Sequence, residues 1–180
     1  LWVGMLLLTA CASIQPKTEP PQSAKGVLLT GPARYFEKSQ NKEYRFDIEI
    51  LGLDGFAKME VSGLLGLKFA TLSESDRVST AIIHQEKKYF FATNPGVVLQ
   101  FFIGESLDMR SLVQRLRTGQ GSQSVQVSDL GSGKKKLEVK NNKYELVWVY
   151  ETNPTEVQDR SAVQKMEVPS GYRTYRLTGR

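Results

Sequence analysis

The chain has little of what most chemistry needs. It holds one cysteine and one histidine in 180 residues. A single cysteine excludes an internal disulfide framework, so the core must stabilise the fold alone. It also leaves no Cys/His pair for nucleophilic catalysis and no His/Cys cluster with metal-ligand spacing. The histidine, His84, precedes Gln85-Glu86-Lys87-Lys88 and reads as a solvated residue at a strand end. Gly131-Ser132-Gly133-Lys134 lacks the upstream glycine of a phosphate loop. Asp47 and Glu49 share the wet face of one strand, whereas a glycosidase-type pair lies across a cleft. The expectation is a protein that is not an enzyme and uses no metal or bound cofactor.

Concentrated charge is also scarce. Lys and Arg number 24 against 19 Asp and Glu, a net +5, but the basic residues are scattered. A nucleic-acid binder would gather them on one face, so no nucleic-acid partner is expected. The one run, Lys134-Lys135-Lys136, follows Gly131-Ser132-Gly133. It fits a solvated hairpin turn, or a contact with anionic lipid headgroups. No apolar run reaches the ~20 residues that a helix needs to cross a bilayer.

What the chain does have begins at its start, LWVGMLLLTAC. The uncharged run has the length of the apolar region of a secretory signal and ends on small residues. The charged segment that precedes such a run is not in the sequence, so the signal reads as truncated. Leu8-Thr9-Ala10-Cys11 resembles the lipobox of bacterial lipoproteins. That resemblance implies cleavage before Cys11, a diacylglycerol on its sulfur and an acyl chain on its amine. The other reading is a buried N-terminal element with an incidental cysteine. Residues 12–26, ASIQPKTEPPQSAKG, are proline-rich and almost without apolar side chains, which suits a tether. The organisation is therefore residues 1–10 as signal, 11–26 as anchor and linker, and 27–180 as one domain with a sizeable core.

Within the domain the apolar period is two. Tyr44, Phe46, Ile48 and Ile50 alternate with Arg45, Asp47 and Glu49. Ala57/Met59/Val61, Leu67/Phe69/Thr71, Val78/Thr80/Ile82 and Tyr89-Phe90-Phe91 follow at about ten-residue spacing, the mark of an antiparallel meander. Val97–Ile103 is a dense apolar run that fits a strand or a short buried helix. Met109, Leu112, Val113 and Leu116 fall on one face of a helix, with Ser106 as its cap and Gly119 as its stop. Strands resume at Val125/Val127, Leu137/Val139 and Tyr144/Leu146/Trp148/Tyr150. Residues 153–164 read as a polar loop, and 163–168 with 172–177 as a last hairpin. The predicted class is mainly β (α+β): a single curved antiparallel sheet of about ten strands, forming an incomplete barrel with a helix covering the concave side. Phe46, Ile48, Met59, Phe69, Ile82, Phe91, Leu112, Leu116 and Trp148 are the expected lining of a concave cavity, or else a core in which they pack on one another.

The ordered series of lipobox, linker, meander, helix and second meander resembles the LolA/LolB-like family, most of all its LolB-type outer-membrane receptors. Gly63-Leu64-Leu65-Gly66 stands where that family has a Pro-Leu-Gly loop with a projecting leucine, with Leu64 in place of the proline. Met109–Leu116 resembles the family helix with its Ser-Leu-x-x-Trp-Leu pattern, with Arg115 where the tryptophan would be. Asn142–Val147 and Lys165–Val168 resemble its later strands. The resemblance implies an outer-membrane lipoprotein on the periplasmic face that receives acylated lipoproteins from a periplasmic LolA-like carrier. Ala12 after the cysteine, in place of the retention-type aspartate, favours the outer membrane. Leu65, with Leu64, would contact the membrane, unless that turn packs inward. The remaining readings are a lipid-anchored carrier or sensor of another amphiphile, and a structural lipoprotein that recruits a partner through a sheet edge.

Overall fold

The computed structural model describes residues 24–103, 107–121, 125–158 and 166–178. Cys11 and most of the tether lie outside the described residues. The strands are β1 (Ala24–Glu37), β2 (Lys42–Leu53), β3 (Phe56–Ser62), β4 (Lys68–Ser75), β5 (Ser79–Ile83), β6 (Lys88–Ala92), β7 (Val125–Gly131), β8 (Lys134–Lys140), β9 (Tyr144–Val157) and β10 (Arg173–Arg176). Between β6 and β7 come two helices, α1 (Val97–Ile103) and α2 (Met109–Thr118). The strands form one sheet in the order β10-β6-β5-β4-β3-β2-β1-β9-β8-β7. Its edges do not meet, yet residues of β3–β5 and of β7–β9 face one space under the helices, so the sheet is an incomplete barrel.

β1 begins at Ala24, inside the stretch read as linker, and pairs with β2 on one side and β9 on the other. Gly26, Gly31 and Pro32 interrupt its apolar alternation, which hid it in the sequence. The interruption also shapes the sheet. Proline has no N–H for the ladder, and the pairing of β1 with β9 lapses at Gly31 and Pro32. The Gly31 carbonyl instead accepts from Trp148 Nε1 at 3.0 Å. A Cβ on Gly31 would stand 2.1 Å from the Val149 carbonyl oxygen, so the two backbones meet here without room for a side chain.

The C-terminal expectations need correction. β9 continues to Val157, so part of the predicted polar loop is strand. Among the described residues β10 pairs not with the preceding segment but in parallel with β6, with Thr174 opposite Tyr89; residues 163–165 of the expected hairpin lie outside them. The sheet is therefore mixed. The cause is on the convex face. Thr80 Oγ1 donates to the Met166 sulfur at 3.2 Å, and the Tyr172 hydroxyl lies 3.4 Å from His84 Nδ1. The chain crosses behind β4 and β5 and reaches the open edge of β6 running in the same direction. His84 is thus half-buried against Thr71 and Tyr172 rather than solvated, and burial lowers its pKa.

Val97–Ile103 is helical. α2 is capped by Asp108, whose side chain accepts from the Ser111 N–H at 2.7 Å. Ser106, the expected cap, lies outside the described residues. Gly119 ends α2 in the left-handed conformation that glycine reaches without strain. α2 packs across β2 over Gly52, where a Cβ would come within 2.8 Å of Val113. Replacing Gly31 with Ala is expected to destabilise the fold by about 1–3 kcal/mol through overpacking against β9. Denaturant titration of the purified chain checks this, and an unchanged midpoint would remove the close approach from the account.

Candidate functional site

The concave face has two halves. At one end, Leu29, Val113, Leu116, Trp148 and Tyr150 are buried, and α2 fills the space between strands. The Tyr150 hydroxyl donates to the Leu116 carbonyl at 2.9 Å, and burial pushes its pKa up to about 12. At the other end the strands carry apolar side chains that nothing fully covers. Phe46, Met59, Val61, Ala70, Ile83, Leu112, Val125, Val139 and Leu146 are only partly buried. They surround a cavity of about 350 Å³, together with Tyr35, Ile48, Ile50, Leu72, Leu99, Phe102, Leu107, Leu137, Tyr144 and Trp148. Ligand pockets run from ~300 to ~1,000 Å³. At about 350 Å³ the space is at the small end of that range and is lined almost wholly by apolar side chains.

Of the residues predicted to line this cavity, Phe46, Ile48, Met59, Leu112 and Trp148 do so. Leu116 does not; it is buried in the packed half beneath Tyr150. Phe69, Ile82 and Phe91 lie in the opposite phase. On β4–β6 the inward residues are Ala70, Leu72, Ala81, Ile83, Phe90 and Ala92. The apolar period misled because both faces of these strands are covered: Ile82 and Thr80 are buried on the convex side, where the segment from Met166 to Tyr172 crosses. Phe69 has a separate task. Its ring lies against Gly63, where a Cβ would stand 2.4 Å from Phe69 Cζ, so it props the β3–β4 turn from behind.

That turn holds the most exposed large apolar side chain described. Leu65 is 98% exposed and Leu67 66%. Leu65 has φ 64° and ψ 19°, and Gly66 continues with φ 73°. A left-handed conformation costs a non-glycine residue about 1–2 kcal/mol. The Gly63 N–H donates to the Leu67 carbonyl at 2.8 Å and closes the turn. Val61 and Ala70, which line the cavity, lie on the strands that enter and leave this turn. Leu64 sits in the same turn, its side chain outside what is described.

One polar group inside the concave face was not visible in the sequence. Glu74 is 1% exposed on β4. Its carboxylate accepts from the Gly96 N–H at 2.6 Å, at the start of α1, and from the Met109 N–H at 2.9 Å, at the start of α2. Burial raises its pKa, against the pull of these two donors. No spacing rule links Glu74 to Gly96 and Met109, so only the fold reveals the contact.

Replacing Glu74 with Ala strands the buried Met109 N–H, at ~1–3 kcal/mol, and the half-buried Gly96 N–H at less, and a loss of roughly 1–4 kcal/mol is expected by denaturant titration. The pH dependence has a definite sign. A folded pKa above the unfolded value of 4.5 means that the native state binds the proton more tightly. This share of stability is full below about pH 4.5 and declines as pH rises through the folded pKa. Glu74→Gln removes that slope, and identical pH profiles for the two forms would contradict the assignment. The chain matches no protein-family model, and no curated protein matches it either.

Proposed function

We propose that this chain is a lipid-anchored, LolB-like receptor of the bacterial outer membrane, which takes acyl chains of lipoproteins into its concave cavity and passes them into the bilayer. The observation that carries the reading is the unfilled apolar half of the concave face, beside a hairpin that projects a bare leucine. An acyl chain gains ~0.8 kcal/mol per methylene on leaving water, so lipoprotein tails need such shelter between membranes. Met59 and the Phe rings suit tails of varied length because they repack easily. A filled structural core would not leave so many apolar side chains half-covered. The space is small among ligand pockets, so a cargo with several chains requires the cover to lift. The same volume favours a second reading, a carrier of a single-chain amphiphile.

Release needs contact with a membrane. Burying Leu65 contributes roughly 1.5–3 kcal/mol, enough to orient the domain and too little to hold it. In this reading Cys11, with its diacylglycerol and N-acyl chain, is the anchor. The tether length is compatible with both tasks. Ala24 lies at the end of β1 remote from the Leu65 turn. The chain from Cys11 to Ala24 can extend to ~45 Å, about the length of the 14-residue strand β1. It can therefore run back along the domain and let Leu65 face the membrane that holds Cys11.

The test loads a periplasmic LolA-like carrier with an acylated lipoprotein and mixes it with residues 12–180. Transfer of the cargo to this domain is expected. A folded domain that takes up none would remove the receptor reading, and a lipid extract would then distinguish the single-chain carrier. In the anchored form, Leu65→Glu is expected to retain cargo binding and to block delivery to vesicles. Unimpaired delivery would withdraw the role given to Leu65.

A further inference from the structure

We infer that the end of the sheet bearing Leu65 is a docking surface for an anionic bilayer, in which lysines on neighbouring turns select the lipid and set the orientation. This rests on the membrane-contact role of Leu65 proposed above. Four turns close hairpins at that end: 38–41, 63–67, 84–87 and 141–143. The first and last touch, because the Lys38 N–H donates to the Lys143 carbonyl at 3.0 Å. These turns or their first strand residues carry Lys38, Lys42, Lys68, Lys87 and Lys143, all exposed. Lys42, Lys87 and Lys143 form no side-chain ion pair or hydrogen bond among the described residues. The acidic side chains nearby are mostly matched: Glu43 by Arg34 and Arg45, Glu86 by Lys88, Glu145 by Lys140. Glu37 has no ion pair among the described residues, but Ser39 and Gln40 donate to it. Asp47, opposite Ser62 at the foot of the Leu65 turn, is exposed and also forms no ion pair among the described residues. Lys42, Lys87 and Lys143 against Glu37 and Asp47 leave positive charge in excess at the end of the sheet that carries Leu65 and Leu67.

The apolar contact is small and pointed. A protein interface needs a packed central patch within some hundreds of Å² per partner. Leu65 and Leu67 offer only a tip. A headgroup layer accepts such a tip, and lysines beside it bury their stems and keep their charges at the phosphates. Each lysine near an anionic surface is worth roughly fivefold in partitioning, and the effect falls with salt.

The test uses residues 12–180, which carry neither the apolar run 1–10 nor the acylated cysteine, and sedimentation with phosphatidylcholine vesicles with and without phosphatidylglycerol. Phosphatidylglycerol is expected to raise partitioning on the order of a hundredfold. The triple variant Lys42→Ser/Lys87→Ser/Lys143→Ser is expected to lose that gain. Leu65→Ser should lower partitioning to both vesicles by about tenfold. No gain from phosphatidylglycerol, or an undiminished gain in the triple variant, overturns the proposal. So does retention by polyglutamate with no gain from phosphatidylglycerol, which would assign the lysines to an acidic protein. Uptake of a fluorescent fatty acid is read on the same samples. Failed uptake with an intact lipid-selective gain removes the receptor reading and leaves the docking surface standing.

Discussion

A single buried carboxylate fastens the helical cover to the sheet. Glu74 projects from β4 and receives the first free N–H of each helix, Gly96 for α1 and Met109 for α2. Two helix N-termini bring partial positive charge to one point, which offsets the desolvation of the carboxyl. α2 is then held along its whole length. Tyr150 and Lys135 donate to its last carbonyls at Leu116 and Arg117, and Gly52 opens space for Val113 beneath it. α1 has the Glu74 tie at its start, Val98 and Leu99 buried in the core, and ring contacts of Phe101 and Phe102 with Phe90 further on. Phe101 remains 58% exposed.

The placement of α2 accounts for the divided concave face. At one end Val113 and Leu116 pack with Leu29, Ile50 and Tyr150 to low exposure. At the other, Leu99, Phe102, Leu107 and Leu112 only partly cover equally apolar residues of the same sheet. The curl that separates them has its own cause in β1, where Gly31 and Pro32 suspend the ladder and Trp148 takes the freed carbonyl. Packing, curvature and cavity thus follow from a few positions in which a rule of regular structure is broken.

The legible parts of the sequence were those with one wet face. β2, β3, β8 and β9 alternate cleanly, so Phe46, Ile48, Met59 and Trp148 could be placed inward before any coordinates. β4, β5 and β6 could not, since Met166 and Tyr172 cover their outer face and remove the contrast that marks phase. Ile82 is buried on that covered face, Phe91 stacks on Tyr89, and Phe69 supports the turn. β1 was hidden by the same Gly-Pro break that bends the sheet. The strand within 172–177 was legible but its partner was not, because a parallel pairing depends on where the chain crosses, and local pattern holds no record of that. Glu74 carried no mark in the sequence, where Ser73–Asp76 reads as a turn, since its partners lie 22 and 35 residues away. The Leu65 turn was marked only by glycines on both sides of two leucines.

Leu65 stands in a strained backbone conformation with its side chain in solvent, a combination that folding alone would not favour. It becomes intelligible if the chain trades local stability for an apolar tip next to a cavity that can shelter an acyl chain. Occupation of that cavity is the central claim, and native mass spectrometry of the purified chain with a saturated long-chain fatty acid tests it most directly. The account predicts one added fatty acid per chain, and loss of that adduct when Ala70→Phe fills the cavity without unfolding the sheet. No adduct, or an adduct that persists in Ala70→Phe, would contradict it.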